Sequence, residues 1–257
     1  MKILILGAGH MGAWLARDLS DRHELAVYDI DGSKLECLSN VIKIKEPSEF
    51  GTLKPDLVIS AVSLHNTQKA FKEVLPYLPE ACMLSDIASV KTNLDVFYKG
   101  IGKRFVSTHP MFGPTFADIR NLRDQHAIII KESDEEGKKF FRDFYGDLGL
   151  QIHEYTFDEH DRTIAYSLST PFTSSMVFAA CMKRQEAPGT TFRKHLDIAR
   201  GLLSEDDHLL SEIMFNPHTV RQIEEINSRL AYLTHIIRGR DYEEMQKFLN
   251  RLRDNVR

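Results

Sequence analysis

The sequence predicts an α/β fold: a doubly wound parallel sheet followed by an all-α region. Three observations predict it. Residues 1–155 alternate short apolar runs with helix-like stretches, the pattern of βαβ units whose sheet is covered on both faces. From Thr156 onward only helical periodicity remains. A glycine-rich turn follows the first apolar run directly, the setting of a Rossmann-type dinucleotide site.

The first run, Lys2–Leu6, leads into Gly7-Ala8-Gly9-His10-Met11-Gly12 and a helical pattern at Met11–Leu19. In this G-x-G-x-x-G arrangement Gly7 permits the tight turn and Gly9 admits the pyrophosphate. Gly12 lets helix and strand approach closely. Free N–H groups of the turn and helix, including those of His10 and Met11, then meet the phosphates. The second strand, Leu25–Tyr28, ends at Asp29. An acid there accepts hydrogen bonds from ribose hydroxyls and repels a 2′-phosphate, which predicts NAD rather than NADP. Asp31 is a nearby acid able to share the role. A plain tight turn and an ordinary turn residue are the simpler accounts of the glycines and of Asp29.

Further strands are expected at Leu57–Ala61, Met83–Asp86, Phe105–Thr108, Ala127–Ile130 and Gln151–Tyr155, with helices between most of them, which implies parallel βαβ units. Helices are expected at His65–Leu78, Lys91–Tyr98 and Asp134–Leu148. Ligands of such sheets sit at the carboxyl ends of the strands. Two segments there carry chemistry. Asp86-Ile87-Ala88-Ser89-Val90-Lys91 offers Ser89 as a substrate ligand, as a helix cap, or as both. Ser107-Thr108-His109-Pro110-Met111-Phe112-Gly113-Pro114 sets His109 at a strand end in a rigid loop, where an imidazole suits removal of a hydroxyl proton.

Thr156-Phe157-Asp158-Glu159 has the form of a capping box and starts the helical region, residues 156–257. A long apolar helix is expected over Phe157–Lys183, kinked at Pro171. Helices follow at Thr191–Leu203, Glu205–Met214, Thr219–Arg238 and Asp241–Asp254. His160, in Glu159-His160-Asp161, is read as part of a polar network at the helix start rather than as a metal ligand. Arg193 and Arg200 share a helix face by spacing. They form either a solvated face or a carboxylate clamp.

The 257 residues carry a formal net charge of −4 and no basic stripe, which argues against nucleic-acid binding. No run approaches the ~20 apolar residues of a membrane span, and no signal peptide is expected at the first residues. Cys37, Cys82 and Cys181 fall into no metal or redox spacing. They read as buried free thiols of a cytoplasmic protein.

Together, Gly7–Gly12, the Asp86–Lys91 segment, His109–Pro114, Glu159-His160-Asp161 and Met214-Phe215-Asn216-Pro217 resemble the prephenate dehydrogenases of tyrosine biosynthesis, most of all the form in Bacteroides-type bacteria. The resemblance implies NAD-dependent oxidative decarboxylation of prephenate to 4-hydroxyphenylpyruvate. It implies His109 as base, Ser89 as its orienting partner, a substrate pocket completed by the helical region near Thr170, and a homodimer formed there. Two positions depart from the family. Phe172 stands where many members have a second histidine, and Gly201 where most have a carboxylate-binding arginine. Arg200, or Arg193 with Lys194, is left to take that part. Arogenate as substrate and a catalytically silent NAD-binding sensor are the alternatives.

Overall fold

The computed structural model describes residues 1–113 and 122–257. Its elements begin with β1 (Lys2–Leu6), α1 (His10–Leu19), β2 (Glu24–Tyr28), β3 (Ile42–Ile44), the single turn α2 (Phe50–Leu53), β4 (Leu57–Ser60), α3 (Leu64–Val74), β5 (Met83–Asp86) and α4 (Leu94–Ile101). They continue with β6 (Phe105–Pro110), β7 (His126–Ile130), α5 (Glu135–Asp147) and β8 (Gln151–Tyr155). Helices alone follow: α6 (Phe157–Ile164), α7 (Thr170–Cys181), α8 (Thr190–Leu202), α9 (Asp207–Met214), α10 (Thr219–Gly239) and α11 (Tyr242–Asn255).

The sheet has the order β3-β2-β1-β4-β5-β6-β7-β8. The chain moves outward from β1 to β3 and then returns to β4. The carboxyl ends of β1 and β4 therefore flank the point where the winding reverses, the place where such sheets open a crevice. In β1 the pleat sends Ile3 and Ile5 into one buried cluster, with Trp14 and Phe141. Leu4 and Leu6 enter the opposite cluster, with Phe71 and Tyr98. A strand buried on both faces reads as an unbroken apolar run, which is how Lys2–Leu6 appears in the sequence.

The glycine turn is held by backbone geometry. Gly7 adopts φ +98°, and its N–H donates to the Tyr28 carbonyl at 2.8 Å. A Cβ on Gly12 would lie 1.9 Å from the Gly7 carbonyl oxygen, whereas a Cβ on Gly9 would meet nothing within 4 Å. At the other junction the expected capping box is present. The Glu159 N–H donates to Thr156 Oγ1 at 3.1 Å, and the Thr156 N–H donates to Glu159 Oε2 at 2.8 Å.

Four expectations are corrected. β7 runs antiparallel to β6, with His109 opposite Ile128, and β8 is parallel to β7; no helix was expected between β6 and β7, so the parallel reading had no crossover helix behind it there. β3 is a three-residue edge strand, too short to carry periodicity. The helix expected over Phe157–Lys183 is interrupted by a π-helical segment at Ala165–Ser169. Pro171 lacks an N–H and its ring crowds the preceding turn, so the widened turn absorbs the defect instead of a simple kink. Cys82 is buried, but Cys37 and Cys181 are exposed.

Pro114, the last residue of the His-Pro-Met-Phe-Gly-Pro segment, lies outside the described residues. Among the described residues no helix is long and apolar enough to cross a membrane.

The glycine geometry makes a paired prediction. Gly12→Ala should lose at least about 1–3 kcal/mol through backbone overlap, while Gly9→Ala should lose less than about 1 kcal/mol, the scale of an N-cap change. Urea midpoints measure both, and equal losses would contradict the assigned geometry.

Candidate active site

The site begins with a charge pair at the end of β5. Lys91 Nζ donates to Asp86 Oδ1 at 2.5 Å and to the Thr108 carbonyl at 2.6 Å. Tyr98 in α4 donates its hydroxyl to Asp86 Oδ2 at 2.7 Å. Both charged side chains are fully buried. Burial pushes the Lys91 pKa down and the neighbouring Asp86 opposes that shift. These contacts pin the loop after β5 to the last residues of β6, so Ser89 and His109 line one cavity.

That cavity has a volume of about 610 Å³. Its floor is the Gly9–Met11 turn, the segment after β4 and the ends of β5 and β6. Its roof comes from the helical region, with Leu168, Phe172, Leu209 and Ile213. Val90, Ile164 and Ile213 form the small apolar core that seats this roof on the sheet. A smaller cavity of about 160 Å³, lined by Gly7, Tyr28 and Asp29, lies at the end of β2. The glycine turn separates the two.

His109 is 5% exposed. Its Nδ1 lies 2.9 Å from Nε2 of His160, which leaves Nε2 as the ring nitrogen available to the cavity. His160 Nδ1 in turn lies 2.9 Å from Asp161 Oδ1. Burial drives the His109 pKa well below the usual histidine value, and the neighbouring His160 and Lys91 push it the same way. Burial also lowers the His160 pKa, against the opposing effect of its hydrogen bond to the Asp161 carboxylate. A ring held neutral is ready to accept a proton.

The first turn of α1 carries no acidic residue, and its N-cap Gly9 makes no side-chain hydrogen bond. The N–H groups of His10, Met11 and Gly12 therefore remain available to an anion. Asp29 accepts the Ala8 N–H at 2.7 Å through Oδ2 and the Asp31 N–H at 2.8 Å through Oδ1. It thus braces the glycine turn from below. Asp31 caps a short 3₁₀ turn through Ser33.

Several sequence expectations do not meet in this cavity. Ser89 is not a helix cap, because α4 starts at Leu94 behind Asn93. Arg193 and Arg200 do share a face of α8, but that face is exposed. Ala199 and Leu202 form the buried side, and Arg200 pairs with Asp197 at 3.5 Å on the solvent side. Neither arginine lines the cavity, nor does Thr170, whose hydroxyl is buried without a hydrogen-bond partner. Leu168 and Phe172, two residues to either side of it in sequence, line the wall instead.

Sequence reasoning missed the contact between His160 and His109. The Glu159-His160-Asp161 segment was visible as a polar helix start, but a pairing across 51 positions leaves no local pattern. It also missed the acidic lining: Glu205, Asp206 and Glu212 face the cavity, and among the described lining residues there is no lysine or arginine.

A family model described as prephenate dehydrogenase, nucleotide-binding domain, matches residues 15–145. A Methanocaldococcus jannaschii protein named as a probable arogenate/prephenate dehydrogenase is 24% identical over 96% of this chain, which spans 58% of that relative's length. The fold is shared with the Aquifex aeolicus prephenate dehydrogenase solved with hydroxyphenyl propionate and NAD+. There the TM-score is 0.86 and the identity 20%, over 99% of this chain and 96% of that one. It is shared also with Synechocystis arogenate dehydrogenase, with a TM-score of 0.79 and 20% identity over 99% and 98% of the two chains.

The depressed histidines predict a pH dependence of stability. Below about pH 6.5, the ordinary histidine value, the unfolded chain binds protons that the buried rings refuse. Stability should therefore rise with pH through that value, measured as the urea midpoint between about pH 5.5 and pH 7.5. His109→Asn should make the dependence shallower, and an unchanged slope would show that His109 is not one of the neutral groups.

Proposed function

Because this chain belongs to the prephenate dehydrogenase family, we propose that it oxidises prephenate with NAD and releases the ring carboxylate as carbon dioxide. The observation that carries the reading is the position of His109. It is a buried, neutral base at the end of β6, and it opens onto the cavity that the glycine turn and Ser89 also line.

The residues present fit NAD. The open face above Gly9 and the uncapped start of α1 suit a pyrophosphate. Asp29 at the end of β2 suits a ribose, and its smaller cavity would take the adenosine end. NAD, when bound, supplies the hydride acceptor. His109 Nε2 accepts the hydrogen bond of the ring hydroxyl and then its proton. Ser89 donates to or accepts from the same hydroxyl and fixes its direction. The O–H proton passes to His109, and the carbon that bears the hydroxyl gives up its hydride to that acceptor. The bond to the ring carboxylate then breaks and carbon dioxide leaves; the electron pair completes the aromatic ring, displacing the carbonyl pair onto oxygen, which takes a proton back from His109. Aromatisation supplies much of the driving force, so the protein's task is orientation and charge.

A second reading takes arogenate, the amino counterpart, as the preferred substrate. Glu205, Asp206 and Glu212 favour it. An ammonium group meets these carboxylates attractively, whereas the keto acid brings only negative charge to them.

The proposal includes a homodimer. Ile198 and Leu203 near the end of α8, Leu230 and Ile237 on α10, and Tyr242, Leu249 and Leu252 on α11 are exposed apolar side chains, a surface suited to a second copy. Light scattering at micromolar concentration should give about twice 29.5 kDa; a mass near 29.5 kDa would contradict the dimer.

Incubation with NAD and either prephenate or arogenate should raise NADH absorbance, and the larger kcat/KM identifies the preferred side chain. Folded protein that binds NAD and oxidises neither would overturn the proposal. His109→Asn should keep NAD binding and lose about 10²–10⁴-fold in kcat. A loss of only a few fold would remove His109 as the base.

A further inference from the structure

The hydrogen-bonded row His109, His160, Asp161 has a definite direction. Asp161 Oδ1 receives the Lys91 N–H at 2.7 Å, and Oδ2 receives the Thr92 hydroxyl at 3.1 Å. A carboxylate in that setting has only acceptor capacity to offer. The His160 Nδ1 that lies 2.9 Å from Oδ1 must then be the protonated nitrogen. A neutral imidazole carries one ring proton, so His160 Nε2 is bare and can only accept. His109 Nδ1, 2.9 Å away, must donate to it. His109 Nε2 is left with its lone pair toward the cavity.

We propose that His160 and Asp161 are positioning residues that lock His109 in the tautomer whose Nε2 is basic and fix the plane of its ring. The proposal rests on the reading of His109 as the base and explains how that base is prepared. The two rings meet with centroids 5.1 Å apart and planes at 60°, a geometry that leaves the hydrogen bond to set the rotation of His109. Burial keeps both rings neutral, as the counting of protons requires.

The lock is anchored by both parts of the chain. His109 comes from β6 and Lys91 from the loop after β5. His160 and Asp161 lie in α6, directly after the capping box Thr156–Glu159 that starts the helical region. Asn216, 2% exposed in the turn after α9, donates its side-chain amide to the Asp161 carbonyl at 2.8 Å. The Met214-Phe215-Asn216-Pro217 segment thereby holds α6 in place without lining the catalytic cavity through Asn216 itself. When His109 takes a proton on Nε2, its Nδ1–H already points to an acceptor backed by a carboxylate. The new cation is thus formed in a prepared field, and no group has to turn.

Nitrogen-15 NMR of the histidine-labelled wild-type protein tests the tautomer directly. His109 should show a protonated, pyrrole-type Nδ1 and a bare, pyridine-type Nε2 at about pH 7.5, above the ordinary histidine pKa. A protonated Nε2 in the wild type overturns the proposal, whatever any variant does. His160→Leu removes the acceptor and should lower kcat about a hundredfold or more, with KM and NAD affinity within a few fold of wild type. His160→Gln keeps an acceptor oxygen and should recover much of the loss. Unchanged kcat and an unchanged His109 spectrum in folded His160→Leu would also overturn the proposal. Wild-type protein with the expected tautomer but no oxidation of either dienyl acid would instead remove the base reading and leave the lock standing.

Discussion

The buried pair between Asp86 and Lys91 is the contact on which the rest of the site depends. Two charges removed from water are costly, and their attraction repays that cost only when every remaining donor and acceptor is matched. Here the matching comes from separate elements. Lys91 also reaches the Thr108 carbonyl in β6, and Asp86 takes the Tyr98 hydroxyl from α4. Removing one partner of such a pair strands a buried charge, typically at a cost of about 3–5 kcal/mol. The loop that carries Ser89 is therefore as fixed as the strands beside it. The backbone N–H of the same Lys91 donates to Asp161, so one residue ties the sheet, the Ser89 loop and the Asp161 carboxylate together.

This hub explains why the candidate site lies at the sheet–helix junction. The sheet alone supplies His109, Ser89 and the Gly7–Gly12 turn at its carboxyl edge. The helical region supplies an apolar roof and His160, the hydrogen-bond partner of His109. Leu168 follows the π-helical widening's first residues, and Phe172 lies just past Pro171; both line the cavity. The irregular turn thus falls where the wall of the cavity is built. Buried Ser169 fastens the same segment, bonding to Thr219 at 2.7 Å and to the Ile213 carbonyl at 3.2 Å.

Local signals were legible in the sequence because they rest on local physics. The strand–turn–helix at Lys2–Gly12, the end of β2 at Asp29 and the capping box at Thr156 each need only neighbouring residues. Ser89 and His109 were legible for a related reason: one follows β5 and the other lies at the end of β6, and strand ends face the crevice. Features that depend on distant packing were not legible. The spacing of Arg193 and Arg200 correctly gave a shared face, but only the burial of Ala199 and Leu202 decides that this face meets solvent. Thr170 fails in the same way, since the turn before Pro171 rotates it off the cavity wall. The reversal of β7 and the meeting of His160 with His109 are consequences of topology, for which periodicity has no symbol.

The central claim is that His109 Nε2 receives the proton of the oxidised hydroxyl beside a nucleotide held on the glycine turn. A crystal structure with NAD and a 4-hydroxyphenyl product analogue measures this most directly. The account predicts the phenolic oxygen within hydrogen-bond distance of His109 Nε2, about 2.6–3.2 Å, with Ser89 on the same oxygen and the pyrophosphate over Gly9. A bound analogue whose hydroxyl points away from His109, toward any other base, would contradict it.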